Sequence, residues 1–136
     1  VALENKNHRI GMGMIGSLPT PMEEREFLHF VRKTFDARGI RHSSFTGKTI
    51  KKVAVLGGSG SFAITSARRA GADAFITADL KYHDYFTAEG DILLADIGHF
   101  ESEQCTKNIF YRIIQEKFPN FALYYSDIEK NPINYL

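Results

Sequence analysis

Asp91-Ile-Leu-Leu-Ala-Asp96-Ile-Gly98-His99-Phe-Glu101-Ser-Glu103 reads as a strand, a turn and the start of a helix. Ile92, Leu93 and Leu94 form the short apolar run expected of a strand buried on both faces, and Asp96-Ile-Gly98 is the turn signal that ends it. Beyond Gly98 the apolar positions Cys105, Ile109, Phe110, Ile113, Ile114 and Phe118 recur at helical spacing, which predicts a helix from near His99 to before Pro119. His99 and Glu103 then stand one turn apart. An imidazole and a carboxylate at i and i+4 share a helical face and can grip one divalent cation, with Asp96 and Glu101 near enough in sequence to join or orient them. The competing reading is plain helix chemistry: an acidic first turn that offsets the macrodipole, with Ser102 as part of the cap. Position favours a site, because ligands of open α/β sheets sit outside the carboxyl ends of the strands.

Two similar units precede this one. Val53-Ala-Val-Leu-Gly57-Gly58-Ser59-Gly60 predicts a buried strand and a glycine-rich turn, followed by a helix through Ala70. Gly58-Ser-Gly60-Ser-Phe-Ala63 satisfies G-x-G-x-x-A between strand and helix, and Asp79 lies at the spacing of a ribose-binding acid. A tight turn whose glycines merely permit close packing is the rival. Asp73-Ala-Phe-Ile-Thr-Ala-Asp79 is the next strand, and Lys81-Tyr82-His83-Asp84-Tyr85 opens a helix. His83 and His99 thus occupy equivalent turns, and neighbouring parallel strands would carry both to one rim, where loops on a rigid scaffold carry function.

The flanks complete the pattern. Gly11-Met-Gly-Met-Ile-Gly16 matches G-x-G-x-x-G, but Pro19 and Pro21 prescribe an extended connection, so it reads as a glycine-rich strand or loop. Thr20 as N-cap and Pro21 as first helical residue predict a helix to about Arg38, with Phe27, Phe30, Val31 and Phe35 inward; Glu24, Arg25, Arg32 and Lys33 face water, and His29 is a surface residue. Gly39 stops it. Strands are expected over residues 40–45 and 50–56, and Gly47-Lys48-Thr49 fails the spacing of a phosphate-binding loop. A strand over residues 121–125 and a polar tail from Ser126 close the chain. This order predicts an α/β fold: a single-domain, three-layer sandwich with a mainly parallel or mixed sheet and helices on both faces.

The chain has 136 residues, 43% of them hydrophobic and 24% charged, the composition of an ordinary globular domain. A formal charge of +1 gives no strong nucleic-acid signature. The single cysteine, Cys105, cannot pair within the chain and is expected as a buried thiol in a reducing compartment. No apolar run reaches membrane-spanning length, and the cytoplasm is the expected location.

Four ordered blocks carry a resemblance over nearly the whole chain: Gly11 to Gly16 with the proline step, Val53 to Gly60, Ala70 to His83, and Asp96 to Glu103. Together they resemble the carboxyl-terminal half of the NIF-three-like family, whose members are also called GTP cyclohydrolase 1 type 2 homologues. The resemblance implies a dinuclear metal centre between two α/β halves, with His99 and Glu103 as two of its ligands, and an outer-shell or proton-transfer role for His83. It also implies two divalent ions (zinc, iron or manganese) in the complete protein, a small nucleotide-like substrate for metal-dependent hydrolysis, and a ring-like homo-oligomer. The family's remaining ligands come from a His-His-Pro block and an aspartate in the amino-terminal half. No His-His pair occurs here. The chain is therefore expected to be the carboxyl-terminal portion of a longer protein, paired with its own amino-terminal half and, alone, weak in metal binding and inactive. Two readings stay open beside it: a non-enzymatic metal-binding or protein-interaction module, and a nucleotide-binding domain using Gly58 to Ala63.

Overall fold

A computed structural model describes residues 11–126, 128 and 130–136. The elements are β1 (Met14–Met22), α1 (Glu24–Thr34), β2 (Arg41–His42), β3 (Ile50–Ser59), α2 (Ile64–Arg69), β4 (Ala74–Ala78), β5 (Leu93–Asp96), α3 (His99–Glu103) and α4 (Thr106–Lys117). Short 3₁₀ segments, Ser61–Ala63 and Tyr82–Ala88, precede α2 and follow β4. The strands form one five-stranded sheet in the order β1-β3-β4-β5-β2. β3, β4 and β5 run parallel, with β1 and β2 antiparallel at the two edges. This is the mixed form of the expected sheet.

Alternation along the central strands builds two cores. Ala54, Leu56, Phe75 and Leu94 point to one face, where they pack with Ile64 and Ala67 of α2, Leu80 of the turn after β4 and Ala88 of the second 3₁₀ segment. Ala74, Ile76, Leu93 and Ala95 point to the other, against Phe27, Leu28 and Val31 of α1. Successive residues of a strand project to opposite sides, so each half-run of apolar residues meets its own helical layer. The three layers follow directly, and β4 and β5 are buried at every position.

Several expectations shift. Thr20 and Pro21 lie in β1, not at a helix start, and α1 begins at Glu24. Proline is tolerated because β1 is an edge strand, and the β1–β3 register breaks between Ser17 and Met22 around the two prolines. The helix ends at Thr34 instead of near Arg38, with Asp36 in a left-handed conformation at φ +50°. Phe30 is exposed while Leu28 is buried, so the inward stripe is Phe27, Leu28 and Val31, with Phe35 half-buried against the same core as expected. Glu24, expected in water, is buried because its carboxylate accepts the Thr46 and Gly47 N–H groups at 2.7 and 2.9 Å. His29 is exposed as expected.

The carboxyl-terminal region departs most. The single helix expected after Gly98 breaks at Gln104 and Cys105 into α3 and α4. Cys105 is exposed at that break instead of buried, and α4 buries none of its residues. Residues 121–125 form no strand. A polar tail does follow, and Asp127 and Glu129 within it lie outside the described residues. Among the described residues, no helix is long and apolar enough to cross a membrane.

The turns after β4 and β5 are joined by Asp96, which is 3% exposed. Its Oδ2 accepts the Leu80 N–H at 2.9 Å, its Oδ1 accepts the Gly98 N–H at 3.0 Å, and the Arg41 guanidinium pairs with it. An Asp96→Ala variant leaves a buried Leu80 donor without a partner. We expect it to lower stability by about 2–4 kcal/mol, measured by chemical denaturation.

Candidate metal centre

Three consecutive parallel strands deliver the site. β3 ends in Gly57-Gly58-Ser59, β4 is followed by Asp79, and β5 is followed by Gly98 and then His99 at the start of α3. His99 Nδ1 lies 2.6 Å from Asp79 Oδ2, and the same oxygen accepts the Ser59 hydroxyl at 2.5 Å. On the opposite edge of the ring, His99 Nε2 lies 3.3 Å from Glu103 Oε2 one helical turn on. The expected pair is therefore brought together, with the ring held from behind by a carboxylate.

The glycine-rich turn makes room for this pair. Gly58 has φ +68°, and a Cβ there would sit 2.6 Å from Glu103 Oε1 and 3.4 Å from His99 Cε1. Its N–H donates to Ser102 Oγ at 2.8 Å, and Ser102 donates in turn to the His99 carbonyl at 2.8 Å. Ser102 is thus a strut between turn and helix and not an N-cap; α3 has no side-chain cap. The close-packing reading of the glycines accounts for these contacts. The nucleotide reading loses both of its parts, since α3 occupies the space over Gly58 and Asp79 is committed to His99 and Ser59. The helix it requires is reduced to a 3₁₀ turn and six residues.

Asp96 and Glu101 do not join or orient the pair. Asp96 serves the two turns, and Glu101, also buried, accepts a hydrogen bond from Asn131 Nδ2 at 2.9 Å. His83 follows β4 in the Tyr82–Ala88 segment, at the same end of the sheet, with its ring against Tyr82 and Phe86. None of the described hydrogen bonds, ion pairs or ring contacts links His83 to His99. Sequence reasoning missed Asp79 as the histidine's partner, although the signal was present: both residues end adjacent parallel strands.

The donors fit part of a metal shell. An imidazole nitrogen and a carboxylate oxygen converge on one point, and the missing side chain of Gly58 keeps that point open. Asp79 sits behind the ring and cannot reach the same ion, so among the described residues no group of three or more His, Cys, Asp or Glu side chains could hold one. A cleft of about 570 Å³ borders the pair, lined by His99, Glu103, Phe100, Thr106, Lys107 and Asn131 among others. It is large enough for a small organic molecule.

A helix N-terminus by itself would favour the neutral imidazole of His99. Instead its pKa is raised, first by the hydrogen bond to Asp79 and then by the charges of Asp79 and Glu103. The short-range carboxylates outweigh the weak dipole of a five-residue helix. Asp79 is correspondingly held below the usual carboxylate range, by the Ser59 hydroxyl first and His99 second. A raised imidazole pKa means that folding favours the protonated form. The resulting stabilisation is complete below about pH 6.5 and fades as pH rises through the folded-state value. An NMR titration of His99 is expected to give a midpoint above 6.5 that falls towards it in Asp79→Asn. Gly58→Ala is expected to displace the Glu103 carboxylate and to cost about 1–2 kcal/mol for the left-handed backbone, read by denaturation.

The model of the family described as Duf34/NIF3 (NGG1p interacting factor 3) matches residues 2–132. A Staphylococcus epidermidis protein named GTP cyclohydrolase 1 type 2 homolog is 35% identical over 136 residues, which is 96% of this chain and 37% of that protein. The Bacillus subtilis protein of the same name is 33% identical, over 93% of this chain and 35% of its own length. Among solved structures, a Bacillus cereus protein related to NIF3 superposes with a TM-score of 0.78 at 28% identity, covering 93% of this chain and 36% of that one. A Staphylococcus aureus protein gives a TM-score of 0.79 at 25% identity, over 93% and 42% of the two chains. The chain thus spans little more than a third of the length of the curated relatives it matches.

Proposed function

The chain belongs to the DUF34/NIF3 family, and on that premise we propose that it is the carboxyl-terminal part of a dinuclear-metal protein that hydrolyses a small nucleotide-like substrate. The observation that carries this reading is the convergence of His99 Nε2 and Glu103 Oε2, 3.3 Å apart, over a glycine with no side chain. Two donors hold a transition metal weakly, because catalytic sites use three protein ligands and structural sites four. The rest of the longer protein, its amino-terminal half, supplies the others. The relatives' printed names support a purine nucleotide as the substrate class.

In this arrangement His99 ligates through Nε2, and Glu103 contributes a negative charge that offsets that of a cation. The chemistry that zinc, iron or manganese supplies when bound is Lewis-acid activation of water and polarisation of substrate. His83, an exposed imidazole at the same end of the sheet, carries protons between the reacting centre and solvent. The cleft beside Phe100 and Thr106 receives the substrate. Helix α4 supports the two-part arrangement. It begins next to the ligand pair and leaves Ile109, Phe110 and Ile113 exposed at 42, 60 and 43%. The segment that covers this face also lies beside His99 and Glu103, and we infer that it is the amino-terminal half. Homo-oligomers of the complete protein complete the proposal.

The exposed face of α4 also favours a second reading, a metal-binding module whose role is protein interaction without catalysis. Turnover by the longer protein that is lost in His99→Ala decides for the enzyme; metal binding without turnover decides for the module.

Metal titration with elemental analysis is the primary test. The longer protein is expected to hold about two ions per chain, and the chain alone to bind roughly 100-fold or more weakly. His99→Ala with Glu103→Ala is expected to lower occupancy in both. Two tightly held ions in the isolated chain, or occupancy unchanged by the double substitution, would overturn the assignment.

A further inference from the structure

We propose that Asp79 is the positioning residue of the metal centre, with Ser59 as its brace: together they fix the Nδ1–H tautomer of His99 and present a bare Nε2 to a cation. The proposal deepens the metal reading and rests on it. Three features carry it. Asp79 Oδ2 lies 2.6 Å from His99 Nδ1, and an ionised carboxylate only accepts, so the hydrogen of this contact belongs to the imidazole. Glu103 competes for the proton from the Nε2 side, but at 3.3 Å against 2.6 Å it is the weaker acceptor, so the neutral ring keeps its hydrogen on Nδ1 and its lone pair on Nε2.

The carboxylate is itself aimed by the backbone. Asp79 has φ +56°, the left-handed region that aspartate tolerates better than most residues. The reversal directly after β4 turns the side chain across the strand ends instead of along them. Ser59 closes the arrangement from the other side. It pairs with Ala78 in the β3–β4 register, and its hydroxyl reaches the same Oδ2 at 2.5 Å. The ring is thereby held by three adjacent parallel strands, β3 through Ser59, β4 through Asp79 and β5 through the turn that starts α3. Metal-ligating histidines generally donate their other N–H to such a partner, and loss of the partner weakens affinity about 10- to 100-fold.

The position also allows a clean test. Glycine suits a left-handed backbone, so Asp79→Gly removes the carboxylate while the chain path is kept. Imidazole ¹⁵N shifts of the metal-free chain, recorded above the titration of His99, report the tautomer with no metal present. The expected result is Nδ1–H in the parent sequence and a shift towards Nε2–H in Asp79→Gly, with Ser59→Ala in between. Zinc titration of the same proteins should then weaken about 10- to 100-fold in Asp79→Gly, with Asp79→Asn less affected. An Nε2–H tautomer in the parent, or one unchanged by Asp79→Gly, overturns the positioning role. Zinc binding unchanged in His99→Ala overturns the metal reading instead, and the tautomer measurement keeps the two failures apart.

Discussion

Parallel strands end in unpaired backbone groups, and the turn that follows each must satisfy them without water. Asp96 does this for two turns at once. Its buried carboxylate accepts Leu80 N–H after β4 and Gly98 N–H after β5, while Arg41 from the edge strand neutralises its charge. A buried carboxylate without partners would be costly, so the three contacts must form together, and their formation sets where the β4 and β5 turns lie relative to each other. Asp79 and His99 belong to those two turns. Their hydrogen bond is a consequence of an alignment that Asp96 imposes deeper in the protein.

The same logic explains why the chemistry lies on the surface. His99, Glu103 and Asp79 are each about half exposed, whereas the residues beneath them, Ala78, Asp96 and Ile97, are buried. The core supplies rigidity, and the reactive side chains remain accessible to groups from outside the chain. Gly58 and Ser102 add the last constraint. One leaves room where a side chain would collide with Glu103, and the other ties α3 to the turn beneath it. The result is an imidazole and a carboxylate held 3.3 Å apart on an accessible rim by the fold alone.

Strong local signals were legible in the sequence. The buried run from Ile92 to Leu94, the strands around Val53 and Phe75, the glycine turn at Gly58 and the alternation of strand and helix all appear where their patterns place them. So does the i, i+4 relation of His99 and Glu103, because one helical turn suffices to create it. Weaker local signals failed where tertiary structure overrode them. Thr20-Pro21 looks like a helix start, but an edge strand accepts proline. Glu24 looks like a surface acid, but backbone donors from a distant turn draw it inward. The periodic apolar run after Gly98 reads as one buried helix, but it breaks at Cys105, and among the described residues α4 buries none of its own, with Ile109, Phe110 and Ile113 left exposed.

The sequence by itself determined the layers and the two facing donors, because periods of two and 3.6 residues are properties of the chain alone. It also carried the family resemblance, since ordered blocks of residues need no coordinates to be matched. Which carboxylate serves His99 was decided by the tertiary structure. Asp96 and Glu101 are nearest in sequence, yet both are turned inward, and Asp79, twenty residues away, makes the contact. The reason is geometric. Neighbouring parallel strands bring their ends within hydrogen-bonding distance whatever the length of chain between them, and only the sheet order says which ends are neighbours.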